Sequence, residues 1–420
     1  MSLIKSIRNE ACPLTGKDDL DGLISRMGSP KFVLLGEASH GTSEFYTTRA
    51  EITKKLIQTK GFSFIAVEGD WPACQAVNRY VKGYDTESSS AREVLKSFDR
   101  WPAWMWANEE IIDLIDWIKE YNSSSEVSPK VGFYGIDVYS LWESMDEVIR
   151  YLTEIDSPEL EGARKAFSCF EPFNRDNEKY AVSAGIYSET CMEETSRLLT
   201  EIQKKKGNFP HKEELDLNIQ VNALAVYNAE NYYRTMAVHD EQSWNIRDMH
   251  MVDALNEVMS YYGEKGRCVV WEHNTHVGDA SATDMKDSGM INVGQLIREQ
   301  NPKEDVYIVG FGTYRGTVIA ADEWGAASEV KNVPPAMRGS WEYALNAAGQ
   351  SDKILEFTDK NRHLFQERIG HRAIGVVYQP QYEQFGNYVP SVIADRYDAF
   401  IFIQETRALR PLSFINAPVI

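Results

Sequence analysis

Short apolar runs, rich in β-branched and aromatic residues, alternate along the chain with stretches of helical periodicity. This alternation is typical of a mostly parallel β-sheet that helices cover on both faces, so we predict an α/β fold. The sequence predicts strands at Phe32–Leu35, Phe62–Val67, Val131–Ile136, Cys268–Trp271, Val306–Phe311, Ala373–Tyr378 and Ala399–Gln404.

The strand pattern is interrupted between Leu141 and Tyr262. Long helical patterns take its place, at Cys191–Lys206, Leu217–Met236 and Ser243–Tyr262. We therefore predict a large all-helical insertion between two strands of the sheet, which would form a cap or a second domain over one sheet edge. The predicted division of the chain is 1–140 for the first part of the α/β domain, 141–265 for the helical insertion, and 266–420 for the second part with a smaller C-terminal α+β portion.

Charge and the length of the apolar runs exclude two classes of partner. The 420 residues include 63 acidic and 44 basic side chains, which gives a formal net charge of -19. A broad basic surface for nucleic acid is therefore not expected. The apolar runs, such as Ala399–Ile403, are far shorter than the ~18 residues that indicate a membrane span. We expect neither nucleic acid nor a membrane as a partner, and the sequence does not indicate an oligomeric state.

The cysteines and the first residues bear on the cellular compartment. Five cysteines are few, odd in number and widely spaced, which argues against a disulfide framework and against CxxC zinc sites. They are Cys12, Cys74, Cys169, Cys191 and Cys268. The first residues lack the apolar region of a signal peptide. We therefore predict reduced, mostly packing cysteines in a cytoplasmic protein.

Ionisable residues follow the predicted strands at their carboxyl ends. They are Glu37 and His40 after the first strand, Glu68 after the second, Asp137 after the third, and His273 and His276 after the fourth. In open α/β sheets the ligand crevice lies outside the carboxyl ends of the strands, so these side chains should converge on one site. Ionisable groups that gather in a crevice are candidates for acid–base chemistry.

An arginine interrupts the apolar stripe of the helix that follows the first strand. The apolar positions of this helix are Phe45, Ile52 and Leu56, and Arg49 falls among them. A charge on a core-facing stripe is costly unless it is paired, and Glu37 and Glu68 are the natural partners. The alternative is an arginine that reaches the surface or makes a purely architectural ion pair.

His40 is the candidate general base. It lies in a glycine-flanked turn three residues after Glu37, and its unperturbed pKa of about 6.5 suits a group that accepts a proton from water near neutral pH. A nearby carboxylate would orient the ring and raise its basicity. In this scheme Arg49 or a second histidine stabilises the oxyanion that develops on the substrate.

Other chemistries remain open at the level of sequence. His273 and His276 are spaced as H-x-x-H and could form a metal site with Glu37 or Glu68, although no H-E-x-x-H helix accompanies them. Ser39 lies in a segment like a nucleophile elbow, but Glu37 replaces the glycine of that motif. No Walker A or G-x-G-x-x-G pattern opens a strand–helix turn, so no nucleotide cofactor is expected.

Tryptophans crowd the segment that contains Trp101, Trp104 and Trp106. Such residues most often pack in the core or between helices. The alternative is that they form the wall of a cleft for a bulky, partly apolar substrate.

Several segments together resemble the motifs of the erythromycin esterase family. They are Gly36–Thr42 with Arg49 nine residues after the histidine, Val67–Pro72, Ser243–Asp248, His273–Asp279, Val309–Tyr314 and Glu405–Leu409. The resemblance covers nearly the whole chain, and the combination in this order is far more specific than any single segment.

This resemblance implies an α/β sheet domain with a helical insertion. It also implies hydrolysis of the macrolactone ester of macrolides, and thus antibiotic inactivation, by directly activated water without a metal, a cofactor or a covalent intermediate. By position, His40 would be the general base. Its orienting and electrostatic partners would be Glu37, Arg49, Glu68, His273 and His276.

The sequence therefore predicts a carboxylic ester or lactone hydrolase that acts on a small molecule. Some members of the family are labelled succinoglycan biosynthesis proteins, so the motifs do not fix the substrate. A metal-dependent hydrolase that uses the H-x-x-H pair and a non-catalytic small-molecule binding protein are the alternatives.

Overall fold

The computed structural model describes residues 2–124, 129–207 and 212–413. Its strands are β1 (Cys12–Pro13), β2 (Phe32–Leu35), β3 (Phe64–Asp70), β4 (Gly132–Asp137), β5 (Cys268–Trp271), β6 (Val306–Ala320), β7 (Glu329–Val333), β8 (Lys353–Glu356), β9 (Arg368–Arg372), β10 (Tyr388–Val392) and β11 (Ala399–Thr406).

The helices of the first half are α1 (Leu3–Glu10), α2 (Asp19–Arg26), α3 (Ser43–Lys60), α4 (Trp71–Lys82), α5 (Ala91–Val94), α6 (Glu109–Ser123), α7 (Leu141–Glu154), α8 (Leu160–Ser168), α9 (Asn177–Tyr187) and α10 (Met192–Gln203). Those of the second half are α11 (Leu215–Met236), α12 (Asp240–Tyr262), α13 (Asn274–Val277), α14 (Val293–Gln300), α15 (Trp341–Ala348), α16 (Glu383–Gly386) and α17 (Ile393–Arg396).

Among the described residues, nine strands form one sheet in the order β1-β8-β11-β6-β2-β5-β3-β4, with β7 paired to β6. The strands from β11 to β4 in this order are parallel to their neighbours, whereas β1, β7 and β8 pair antiparallel. Strands β9 and β10 form a separate antiparallel pair. The predicted α/β class with a mostly parallel sheet is confirmed.

Alternate side chains of the central strands fill a core on each face of the sheet. From β2, Val33 and Leu35 pack against α2, α3 and α6. Phe32 and Leu34 point to the other face, where α1, α12, α14 and α15 cover them. Because both faces are covered, every residue of β2 is buried, and the carboxyl end of the strand carries the polar loop.

Helices α7 to α12 form the insertion between β4 and β5, and no strand occurs in its described part, 141–207 and 212–262. The predicted helical patterns correspond to α10, α11 and α12. The insertion has a core of its own, to which Leu141, Tyr180, Leu198 and Val226 belong. Where the domain boundaries lie, at 140 and 265 or elsewhere, stays a prediction.

The strand predicted at Ala373–Tyr378 is wrong. This segment follows β9 and makes only isolated bridges, from Ile374 to Ser39 and from Val377 to Ala321. Ile374 and Tyr378 are buried against Val318, Ala320 and Val333, so the packing of these two side chains rather than strand pairing accounts for the apolar character of the segment. The sequence also missed β1, β7, β8, β9 and β10, which are short or carry charged residues and so lack a buried strand's apolar pattern.

The prediction that all cysteines are reduced is also wrong. Cys169, which follows α8, and Cys191, which precedes α10, form a disulfide across a sequence separation of 22, with their Cα atoms 5.9 Å apart. Wide spacing argued against a disulfide framework, but the chain passes through α9 between α8 and α10 and brings these two residues together. Cys12, Cys74 and Cys268 are free thiols.

The cytoplasmic location stays a prediction. None of the helices in the described ranges has both the length and the apolar character that crossing a membrane requires.

Removing the disulfide should destabilise the protein. A cross-link over a loop of this length is worth about 3 kcal/mol in the chain-entropy model. We expect the Cys169→Ala/Cys191→Ala variant to lose about that free energy of unfolding in urea denaturation. The control is Cys12→Ala, an exposed free thiol that should leave stability unchanged. Titration of five thiols rather than three in the unreduced parent would contradict the cross-link.

Candidate active site

The loop after β2 holds His40 against a buried ion pair. The Nδ1 atom of His40 lies 2.9 Å from Oε1 of Glu37, and the other oxygen of Glu37 accepts a hydrogen bond from Nη2 of Arg49 on α3. Glu37 and Arg49 are buried. The arginine thus fixes the carboxylate, and the carboxylate fixes the imidazole ring.

Arg49 itself is held between two aromatic rings. Its guanidinium lies 4.5 Å from the ring centroids of both Tyr46 and Trp271. These cation–π contacts add to the ion pair in stabilising a charge that has no access to water. Arg49 therefore lies on the core-facing stripe of α3, and it pairs with Glu37 rather than with Glu68.

Gly41 anchors the same loop to the sheet. Its carbonyl oxygen accepts hydrogen bonds from the backbone N–H groups of Ile319, 3.1 Å away, and Leu409, 2.9 Å away. A Cβ atom at this position would lie 2.0 Å from the carbonyl oxygen of Ile319. Only glycine allows this approach, which fixes the backbone next to His40.

Glu68 connects three parts of the site. Its Oε1 accepts a hydrogen bond of 2.7 Å from Nη2 of Arg247, and its Oε2 accepts one of 2.9 Å from the backbone N–H of His273. Burial raises the pKa of Glu68, but the neighbouring rings of His276 and His40 and the guanidinium of Arg247 outweigh burial and leave the pKa lowered. Glu68 is therefore an ionised carboxylate at neutral pH.

Arg247 is a site residue that the sequence analysis placed only within the motif Ser243–Asp248. It comes from α12 of the insertion and donates bonds of 2.9 and 2.7 Å to the two carboxylate oxygens of Asp137, at the end of β4. Its guanidinium also lies 4.9 Å from the ring centroid of Tyr139. Two sequence features could have pointed to Arg247. One is Asp137, a carboxylate at a strand end that needs a cation, and the other is the motif at Ser243–Asp248.

His276 contacts Arg247 on the side that does not line the cleft. Its Nδ1 lies 2.9 and 3.0 Å from the two carboxylate oxygens of Asp248, and its Nε2 lies 3.0 Å from Nη1 of Arg247. The ring stacks on Trp244 with centroids 4.5 Å apart. Both nitrogens of His276 are therefore engaged, the first with an acceptor and the second with a donor.

His273 lies beside His40 with the ring centroids 4.8 Å apart. Its Nδ1 accepts a hydrogen bond of 3.3 Å from the backbone N–H of Thr275, so the ring proton is on Nε2 in the neutral form. Burial, followed by the positive charge of His40, lowers the pKa of His273 well below its ordinary value. His273 is therefore a neutral neighbour that does not compete with His40 for the proton.

The pKa of His40 is shifted upwards, in contrast to the lowered pKa of His273. Burial lowers it, but the negative charges of Glu68 and Glu37 outweigh burial, so the pKa is raised above its ordinary value of 6.5. The Nε2 atom of His40 makes no hydrogen bond to the part of the chain that the structure describes. This atom is the one that remains available to a ligand.

His40, Glu68 and Arg247 line a cleft, together with Asp70, Arg100, Asp137, Tyr139 and a wall that includes Trp101, Met105, Trp106 and Trp324. Glu37, Arg49, His273 and His276 do not line this cleft but lie behind its surface. The structure therefore brings all six predicted site residues into one contiguous network, in which His40 and Glu68 reach the ligand space directly.

Metal coordination by the H-x-x-H pair does not fit these side chains. His276 uses both of its nitrogens on Asp248 and Arg247, and the guanidinium would repel a cation. Across residues 2–124, 129–207 and 212–413, no three His, Cys, Asp or Glu side chains are grouped as a metal ion requires.

The erythromycin esterase family model matches residues 57–406. The chain belongs to the erythromycin esterase family. The YbfO protein of Bacillus subtilis (strain 168), which is named as a hydrolase, is 22% identical over 95% of this chain and 90% of its own length. Erythromycin esterase type II of Escherichia coli is 23% identical over 81% of this chain and 84% of its own length.

Three solved structures have a similar fold. A succinoglycan biosynthesis protein is 21% identical with a TM-score of 0.79, and coverage is 98% of both chains. A protein from Bacillus cereus is 20% identical with a TM-score of 0.80, again over 98% of both chains. A histidine-to-asparagine mutant of the erythromycin esterase EreC, in its open conformation, is 14% identical with a TM-score of 0.68 over 96% of both chains. These likenesses confirm the fold.

The Arg49–Glu37 pair should be essential for stability. Arg49→Met would leave the carboxylate of Glu37 buried without its cation, and breaking a buried pair costs ~3–5 kcal/mol. We expect a loss of that size in the free energy of unfolding, measured by urea denaturation. The double variant Arg49→Met/Glu37→Gln should recover part of it because no charge remains uncompensated. A single variant as stable as the parent would show that the pair contributes nothing.

Proposed function

We propose that this chain hydrolyses a carboxylic ester or lactone with His40 as the general base. The family is one of hydrolases, and the observation that carries the proposal is the orientation of His40. Glu37 accepts from Nδ1, which leaves Nε2 free at the cleft to take a proton from water. A macrolactone is the substrate that the family name implies, so macrolides belong in any substrate panel.

The reaction proceeds in two steps. A water molecule at Nε2 of His40 gives its proton to the imidazole as its oxygen bonds to the ester carbonyl carbon, and the carbonyl electron pair moves to the oxygen. The tetrahedral intermediate then collapses, the bond to the alkoxy oxygen breaks, and the imidazolium returns the proton to the leaving alcohol. The products are a carboxylic acid and an alcohol, and His40 is regenerated.

Arg247 is the group best placed to stabilise the oxyanion. Arg49, which the sequence suggested for this role, lies behind Glu37 and does not line the cleft. Arg247 lines the cleft and is held by Glu68 and Asp137, so its guanidinium is pre-organised before the substrate binds. A fixed cation in a site shielded from water can stabilise developing negative charge strongly.

A serine nucleophile has less support than activated water. The hydroxyl of Ser39 is buried and hydrogen-bonded to the hydroxyl of Thr42, and the side chain does not line the cleft. Attack by Ser39 would require this loop to rearrange. His40 needs no such rearrangement.

Replacing the proposed base tests this mechanism. General-base assistance is worth ~10²–10⁴ in rate, so His40→Asn should lower kcat by that factor while circular dichroism shows an unchanged fold. The matched control is His363→Asn, an exposed histidine outside the site. Near-parental kcat in His40→Asn would remove His40 from the mechanism. Loss of parental activity in a chelator, restored by zinc or manganese, would favour metal chemistry instead.

The pH dependence should report the raised pKa of His40. A protonated imidazole cannot accept a proton, so kcat/KM should fall as the pH drops, with a midpoint above 6.5. Glu37→Gln removes one of the negative charges that raise this pKa, so its midpoint should lie at a lower pH than the parent's. The control is Glu367→Gln, an exposed residue that should not shift the midpoint. A parental midpoint at or below 6.5 would contradict this assignment.

A further inference from the structure

Two tryptophans form an aromatic rim at the mouth of the cleft. Trp324, between β6 and β7, is 64% exposed, and its ring contacts that of Trp101 edge-on with centroids 4.5 Å apart. Trp101 donates a hydrogen bond of 2.9 Å to the carbonyl oxygen of Ala326. Both rings line the cleft that contains His40. A large aromatic side chain left exposed beside a cleft marks a contact surface for a ligand.

An ion pair between Arg100 and Asp70 lines the same cleft. Arg100 donates a bond of 2.9 Å from Nε to Oδ2 of Asp70. The Oδ1 atom of Asp70 is buried and has no hydrogen-bond partner within the described ranges. A buried acceptor without a donor is costly, so the side chain of Asp70, which lines the cleft, would gain by turning this oxygen towards an O–H group of a ligand.

The charges of the cleft select against ionic ligands. Each carboxylate that lines the cleft has an arginine partner. Arg247 donates hydrogen bonds to Glu68 and Asp137, and Arg100 donates to Asp70. A cationic ligand would compete with these arginines, and an anionic ligand would compete with the carboxylates. A neutral ligand with several hydroxyl groups can use both the donors and the acceptors without separating any pair.

The size of the cleft limits the part of the substrate that it can hold. Its volume is about 140 Å³. Pockets for drug-sized ligands measure ~300–1,000 Å³, so this cleft suits a single ring rather than a whole macrocycle.

From these four observations we infer that the cleft binds a neutral hydroxylated six-membered ring, as in an acylated sugar, with the aromatic rim against the ring face and Asp70 and Arg100 on its hydroxyl groups. This substrate class rests on the proposed ester hydrolysis. This binding mode places the scissile ester of an O-acyl pyranoside between His40 and Arg247.

Two matched esters test the substrate class. The 6-O-butyryl ester of methyl glucopyranoside and cyclohexylmethyl butyrate share the acyl group, the primary ester and the ring size, and they differ in the ring oxygen and its substituents. We expect the parent to prefer the sugar ester by at least ~10-fold in kcat/KM, because a site built around hydroxyl groups rejects a ligand that lacks them.

Variants of the rim test how the ring is held. Trp324→Ala should reduce the preference for the sugar ester by ~10-fold, whereas Trp324→Phe, which keeps an aromatic face, should retain most of it. The matched control is Phe385→Ala, which removes an aromatic side chain that is 78% exposed and does not line the cleft. It should leave the preference unchanged.

The outcomes separate this inference from the proposed function. Hydrolysis of both esters without a preference for the sugar overturns the substrate class and keeps the hydrolase. A preference that persists unchanged in Trp324→Ala overturns the role of the rim. If no ester or macrolide is hydrolysed, the proposed function fails, and saturation-transfer NMR still decides the inference. Methyl glucopyranoside should then bind the parent in preference to cyclohexylmethanol and lose binding in Trp324→Ala, and equal binding of both alcohols would overturn it.

Discussion

The buried pair between Arg49 and Glu37 is the interaction on which the geometry of the site depends. A carboxylate at the end of a central strand has no water to solvate it, so burying its charge is costly unless a cation is buried beside it. The aromatic rings of Tyr46 and Trp271 restrict the arginine to one position. Glu37 holds Nδ1 of His40, so this residue, three positions before the histidine, sets the direction in which the free Nε2 atom points.

Arg247 plays the corresponding part on the other side of the cleft. It pairs with both Glu68 and Asp137, and it is itself oriented by His276, Asp248 and Tyr139. The two arginines therefore differ in what they face. Arg49 is enclosed by protein and positions a base, whereas Arg247 reaches the ligand space with most of its donors already engaged.

The sequence predicted the sheet and the meeting of Glu37, His40, Glu68, His273 and His276, because parallel strands bring their carboxyl ends to one edge. That inference needs only strand order along the chain and the period of the apolar residues. It failed at Ala373–Tyr378, where two apolar side chains, Ile374 and Tyr378, are buried but the segment makes only isolated bridges.

The contacts made by the insertion could not be derived in the same way. Arg247 follows Asp137 by more than a hundred residues, and Trp324 is still further from Trp101. Helical periodicity shows which face of α12 is apolar, but it does not show over which strand end that face lies. The disulfide between Cys169 and Cys191 escaped prediction for the same reason, since the path between two helices is not encoded in spacing.

The order of strands in the sheet has a consequence for synthesis of the chain on the ribosome. Strand β2 lies between β5 and β6, and both of these are made only after the insertion. Until then Glu68 and Asp137 also lack Arg247, which is carried by the last helix of the insertion. Residues 1–140 therefore emerge as a segment with an unpaired central strand and uncompensated carboxylates. The loop that carries His40 can reach its final form only late in synthesis, when the later strands close around β2.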